Sequence, residues 1–204
     1  MHPEVFAAFD RICAEVQICG PVLEIGAVAE PSTLLNLPAL ARALPRVGIN
    51  LKGDARAGGA VILRGSANAM SMFASATFAA VLCNATLEHD GRFWLTLAEI
   101  NRVAAPGALV AIGVPGYAVP PPSRLRQAGE LVRRLTPFAP TLQGRIGRWL
   151  AGTPTLGLHG CPLDYYRFSE EAVRSAFLAG CRDVRSLTIL DPPRIIGWGR
   201  RADD

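Results

Sequence analysis

Lysine is nearly absent from this chain: of its 21 basic residues only Lys52 is one, and arginine supplies the rest. A genome's base composition accounts for that bias as readily as a demand for bidentate arginine contacts. Cysteine is sparse, and its five copies, Cys13, Cys19, Cys83, Cys161 and Cys181, include no C-x-x-C pair and are odd in number. That excludes a fully paired disulfide framework and predicts scattered buried thiols in a reducing, cytoplasmic setting. No signal-peptide apolar core is expected, because Glu4, Asp10, Arg11 and Glu15 fall within residues 1–19. An amphipathic helix is predicted there instead. A clean membrane span is lacking too. Residues 65–87 carry no charge, but Ser66, Asn68, Ser71, Ser75, Thr77, Asn84 and Thr86 run through them, and such groups are costly in lipid. Carboxylates and histidines show no metal-ligand spacing, since the neighbours Glu88, His89 and Asp90 point in different directions, so no metal is expected. Internal repeats and low-complexity tails are missing. Aromatics make up 7% of the chain and do not interleave with the arginines, which argues against a nucleic-acid partner.

What remains is a chain of 204 residues, half of them hydrophobic, enough for one domain with a full core. Short apolar runs at residues 22–25, 47–50, 60–63, 80–83 and 109–114 are separated by turns or helical segments. Runs of this kind, buried on both faces, predict an α/β fold, Rossmann-like and doubly wound, with a mostly parallel sheet and helices on both faces. Residues 92–104 predict a helix in which Phe93, Leu97, Ile100 and Ala104 recur at helical spacing behind Asp90 as N-cap, with Pro106 and Gly107 ending it. A later helix is predicted from Ser169 through Val173 and Phe177 to Gly180. Strands near residues 184–190 and 194–198 bring the sheet to seven.

The domain divides into an N-terminal helix (1–19), a core (20–116), an insertion (117–167) and a C-terminal helix with a strand pair (168–204). The insertion opens with Pro120-Pro121-Pro122 and sets Arg124, Arg126, Arg133, Arg134, Arg145, Arg148 and Arg167 against only Glu130 and Asp164. Following a sheet's carboxyl edge, it reads as a basic lid over a ligand crevice, or equally as a solvated surface helical pair. Charge follows the same division: residues 1–116 hold 8 basic and 9 acidic side chains, residues 117–204 hold 13 and 8.

Four local patterns carry chemistry. Val22-Leu23-Glu24-Ile25-Gly26 is an apolar strand ending in an acid and a glycine turn, the place where an open α/β sheet exposes backbone N–H groups to a nucleotide-like ligand. Arg46-Val47-Gly48-Ile49-Asn50 is a second strand ending in a polar residue at ribose reach. Leu87-Glu88-His89 follows the strand Phe78-Ala79-Ala80-Val81-Leu82-Cys83-Asn84, and Ala105-Pro106-Gly107 precedes another apolar strand. Together, over residues 20–116 and about 160–200, they resemble the class I S-adenosylmethionine-dependent methyltransferases, close to the type 11 group.

The resemblance implies S-adenosylmethionine as cofactor. Glu24, Gly26 and Ala27 then lie at its methionine end, Asn50 at the ribose, Leu51 against adenine, Ser66 and Ala67 along the adenine edge, and Asn84 below the transferred methyl. The pattern departs from the family where later glycines are Val28 and Glu30, where Asn50 and Ser66 replace acids, and where Pro38 breaks the helix after the turn. It implies His89 as a proton acceptor, cofactor contact or helix cap, and Tyr117, His159, Asp164, Tyr165 and Tyr166 as contacts at the acceptor end. The same tyrosines also serve simply to pack the insertion onto the core. The function implied is methyl transfer to a small-molecule acceptor, glycan-linked, lipid-linked or anionic, with peripheral membrane contact through the basic lid. A non-catalytic methyltransferase-like partner or scaffold is the alternative. A nicotinamide-dependent oxidoreductase fails on Gly26-Ala27-Val28-Ala29-Glu30-Pro31, which lacks G-x-G-x-x-G.

Overall fold

The computed structural model describes residues 1–116, 163–190 and 193–203, together with Arg124, Gln127, Ala128 and Leu131. Tyr117, His159, Cys161 and most of the insertion lie outside the described residues.

The chain begins with α1 (Pro3–Val16), which has proline in its first turn and ends where Gln17 turns left-handed at φ 52°. Its buried positions, Val5, Ala8, Phe9, Ile12 and Cys13, follow helical spacing. β1 (Val22–Ile25) is buried at all four positions. No α-helix follows it. Two short 3-10 turns, Leu34–Asn36 and Pro38–Leu40, take that place, as Pro38 requires. They are held by side chains from elsewhere: Asp10 Oδ1 accepts from the Ala39 amide at 2.8 Å, and Arg46 donates to the Leu35 carbonyl at 2.6 Å.

β2 (Arg46–Asn50), β3 (Ala55–Ala57), β4 (Ala60–Arg64) and β5 (Phe78–Asn84) come next. Then α2 (Phe93–Val103) runs straight into the twelve-residue β6 (Ala104–Pro115), and β7 (Cys181–Leu190) and β8 (Pro193–Arg201) close the chain. The sheet therefore has eight strands, not seven, in the order β3-β4-β2-β1-β5-β6-β8-β7. The extra strand, β3, arises because Gly58 and Gly59 turn the chain back on itself, so that Ala57 pairs with Ala60. Strands β1, β2, β4, β5 and β6 are parallel; β3, β7 and β8 add antiparallel pairs.

Alternation along the strands separates two cores. Val81, Cys83, Val110 and Ile112 pack with Ile100 and Val103 of α2, whereas Ala80, Leu82 and Ala111 pack with Phe9 and Ile12 of α1. Among the described residues the two long α-helices, α1 and α2, pack into different cores of the sheet. The predicted helix after Ser169 is present but ends before Gly180: Glu170 and Glu171 are helical and Ala172–Phe177 continue them as a π-helix, with the Ser169 hydroxyl accepting from the Ala172 amide at 3.1 Å. Asp90 does not cap α2 directly. Its carboxylate accepts from the Arg92 amide at 2.8 Å, just ahead of the helix.

Candidate cofactor crevice

Strand order reverses between β1 and β5, which are parallel neighbours although three strands separate them in sequence. Ligands of open α/β sheets bind outside the carboxyl ends of the strands at such a switch point. Of the residues expected to bind cofactor, Glu24, Asn50 and Asn84 lie at the carboxyl ends of β1, β2 and β5, and Gly26, Ala27, Leu51, Ser66 and Ala67 in the loops that follow β1, β2 and β4.

Glu24 is 4% exposed, and its carboxylate accepts from the Thr33 hydroxyl and, at 3.2 Å, from the Leu35 amide. Burial pushes its carboxyl above the ordinary range, while these hydrogen bonds and one from Leu34 pull the other way. Its side chain thus secures the 3-10 turns. Gly26 adopts φ +78°, and a Cβ on it would stand 2.1 Å from Thr86 Oγ1, so glycine is required both by conformation and by the approach of the β5 loop. The Thr86 hydroxyl in turn sits 3.1 Å from the Asn84 carbonyl. Ala27 is buried against Gly48, which must lack a side chain to admit it. Val28 and Glu30, at the expected glycine positions, are exposed.

Asn50 ties two loops together: its Nδ2 donates to the Ala27 carbonyl at 2.8 Å and its Oδ1 accepts from the Lys52 amide at 3.0 Å. An aspartate could not make the first of these bonds, which accounts for the amide. Leu51 is 71% exposed at the end of β2, so it is no core residue. Ser66 Oγ accepts from the Asn68 amide at 3.2 Å, and Ala67 is half-buried beside the core. Asn68 does more than form a turn. Its Nδ2 reaches Asp90 Oδ2 at 2.6 Å and Thr96 Oγ1 at 2.8 Å, fastening the β4 loop to α2. Asn84 Oδ1 is buried without a hydrogen-bond partner, beside Gly113 and the Phe9 ring.

The loop after β5 carries the polar centre of the far side. His89 Nδ1 lies 3.2 Å from the Leu163 carbonyl, which can only accept, so Nδ1 carries a hydrogen toward it. Glu88 is fully buried: Oε1 pairs with Arg194 at 3.2 Å, its backbone carbonyl accepts from the Tyr165 amide at 2.8 Å, and Oε2 is left without a partner. Tyr166 packs edge-on to Phe93 at 5.3 Å. Asp164 turns inward to a bidentate pair with Arg167 at 2.5 and 2.7 Å.

Sequence reasoning missed Thr86 and Arg194. The second reaches Glu88 only because antiparallel β8 sets Arg194 opposite Pro115, at the carboxyl edge of β6. No grouping of three metal-ligating side chains occurs among the described residues.

An adenosine group fits this edge in part. Leu51 offers an exposed apolar platform beside the half-buried Asn50 amide, whereas the exposed side chains of Val28 and Glu30 stand where the resemblance has glycines.

No family model matches the chain, and no curated protein matches it in sequence. Solved structures do match. The Burkholderia thailandensis 1,6-didemethyltoxoflavin-N1-methyltransferase with bound S-adenosylhomocysteine superposes with a TM-score of 0.59 at 15% identity, covering 97% of this chain and 78% of that one. The Haemonchus contortus phosphoethanolamine N-methyltransferase 2 with S-adenosyl-L-methionine gives 0.61 at 10% identity, covering 98% of this chain and 53% of that one. YcgJ of Bacillus subtilis gives 0.55 at 15% identity, with both chains covered in full. Likeness at such identity establishes the fold, which is that of the class I methyltransferases. It fixes neither acceptor nor activity.

Proposed function

We propose that this protein binds S-adenosylmethionine and transfers its methyl group to a small-molecule acceptor, glycan-linked, lipid-linked or anionic. The observation that carries the reading is Leu51. It follows Asn50 at the carboxyl end of β2, on the edge where strand order reverses and ligands of such sheets bind, and is exposed there to meet an adenine ring.

In this reading Asn50 offers an amide to a ribose hydroxyl, Leu51 stacks under the base, and the segment of Ser66 and Ala67 closes the other side. Bound there, S-adenosylmethionine supplies a methyl group already activated on a sulfonium. The chain's own task is therefore chiefly positioning, which in favourable cases accounts for about 7–11 kcal/mol of a barrier. His89, whose Nδ1 faces the Leu163 carbonyl, serves as proton acceptor, cofactor contact or helix cap. Tyr166 is the described candidate for acceptor contact, and the resemblance adds Tyr117 and His159 of the insertion to the candidates. The free thiols of Cys13, Cys19, Cys83 and Cys181 are consistent with a cytoplasmic setting.

Calorimetry with S-adenosylmethionine, S-adenosylhomocysteine and NADH tests the reading. Both adenosyl ligands are expected to bind and NADH is not, and Asn50→Ala should weaken binding by about 1 kcal/mol. Absence of heat with either adenosyl ligand would favour a non-catalytic scaffold. One observation supports that second reading: Val28 and Glu30 present exposed side chains where the family has glycines.

A further inference from the structure

Residues 46–64, which run from β2 through the β3–β4 hairpin, hold four basic side chains, Arg46, Lys52, Arg56 and Arg64, against one acid, Asp54. Two of the four stand at the carboxyl edge beside Asn50. Asn50 and Arg64 are register partners across parallel β2 and β4, and the Gly65 amide donates to the Asn50 carbonyl at 3.0 Å. Paired positions on neighbouring strands project to the same face of a sheet. Two residues earlier, the pair Gly48 and Ile62 marks that face as the one the β1 loop covers, because a Cβ on Gly48 would lie 2.4 Å from Ala27 Cβ and 3.1 Å from Ile62 Cγ1. Asn50 agrees, its Nδ2 bonded to the Ala27 carbonyl. The turn after β2 then folds back onto Arg64: Gly53, at φ +50°, lies so close that a Cβ on it would stand 1.9 Å from Arg64 Cβ. Lys52 precedes Gly53 in this turn, its amide on Asn50 Oδ1.

Both cations are exposed, and among the described residues neither is paired with a carboxylate. Asp54 Oδ1 accepts from the Arg64 backbone amide at 3.2 Å, not from its guanidinium. Glu24, the acid of β1, is enclosed with Thr33. Where the resemblance has an acid at the end of β2, this chain therefore holds a neutral amide flanked by two unpaired cations. The exchange changes what a ribose here can carry. A carboxylate at this place accepts from free ribose hydroxyls and repels a phosphate on them, whereas an arginine receives such a phosphate through paired N–H donors. S-Adenosylmethionine, with both ribose hydroxyls free, gives Arg64 no anion to bind.

We propose that the ribose end of the crevice takes an adenosine ligand phosphorylated on its 2′ or 3′ hydroxyl, with Arg64 binding the phosphate and Lys52 adding a second positive charge. Such a ligand occupies the adenosine position assigned to S-adenosylmethionine, the reading on which this inference rests, and competes with it there. The remaining free hydroxyl stays available to Asn50.

The test is calorimetry on the full chain at low salt with adenosine 2′-, 3′- and 5′-monophosphate, which carry the same charge at different places, alongside inorganic phosphate and S-adenosylhomocysteine. The 2′ or the 3′ isomer is expected to bind about tenfold more tightly than the 5′ isomer, a preference that shrinks as salt rises. It should also displace S-adenosylhomocysteine. Arg64→Gln should bring the three isomers level, and Lys52→Gln should narrow the gap less. Thermal unfolding of each variant separates lost binding from lost folding. Equal affinity for the three isomers overturns the proposal, as does a preference that survives both substitutions together, or inorganic phosphate binding as tightly as any isomer. S-Adenosylhomocysteine tells the two readings apart: if it binds while the isomers are equal, the phosphate site alone falls, and if no adenosine ligand binds, both fall.

Discussion

Single residues in this protein are set by what surrounds them more than by their chemical type. Glu24 shows this clearly, because the acid that closes β1 is enclosed by Thr33 and the 3-10 turns instead of facing solvent. Burial raises its carboxyl above the unfolded value near 4.5, so folding favours the neutral acid. The stability it contributes is complete below about that pH and is lost as pH rises through the folded value. Glu24→Gln stays neutral throughout, so its advantage over the parent in urea unfolding should be small at pH 4 and larger at pH 7. A gap that shrinks with rising pH would show that the hydrogen bonds from Thr33, Leu34 and Leu35 outweigh burial. Cys13 follows the same physics: burial and the nearby Asp10 push its thiol up to about 12, which leaves it protonated and inert at neutral pH.

Between elements, close approach decides what a position tolerates. Gly26 joins β1 to its turn at φ +78° and also admits the Thr86 side chain of the β5 loop. Gly26→Ala should therefore cost about 1–2 kcal/mol in backbone strain and more from the contact with Thr86. In a Thr86→Ala background the contact cost should largely vanish while the strain remains. A double-mutant cycle read by denaturant midpoints should show that coupling, on the order of 1 kcal/mol or more. Strict additivity would mean that the β5 loop moves away freely. Asn68 works similarly at a distance, linking the β4 loop to Asp90 and Thr96.

For the whole molecule, the proposed ligand would bridge loops from β1, β2, β4 and β5, and so should stabilise the folded chain as a unit. At a hundredfold excess of S-adenosylmethionine over its Kd, linkage gives about 2.7 kcal/mol. That corresponds to a rise in Tm of roughly 5–10 °C for a domain of this size. An unchanged Tm in scanning calorimetry, with NADH as control, would count against the cofactor reading.

The strands were legible in the sequence because apolar runs buried on both faces leave few alternatives, and α2 because Phe93, Leu97 and Ile100 recur at helical spacing, although Ala104, counted with them, opens β6. Pro38 likewise announced the missing helix after β1, since a proline lacks the amide a helix interior requires. Strand β3 was missed because Ala55, Arg56 and Ala57 carry no hydrophobic signal of their own and become a strand only by pairing with β4. The sequence alone determined the class of fold and the order of its loops along the carboxyl edge. Tertiary structure decided that Glu24 turns to Thr33, that Asn50 holds the Ala27 carbonyl, and that Glu88 meets Arg194, 106 residues away. Periodicity in a chain reports which face of an element is buried, whereas the partner of a polar side chain depends on which strands become neighbours.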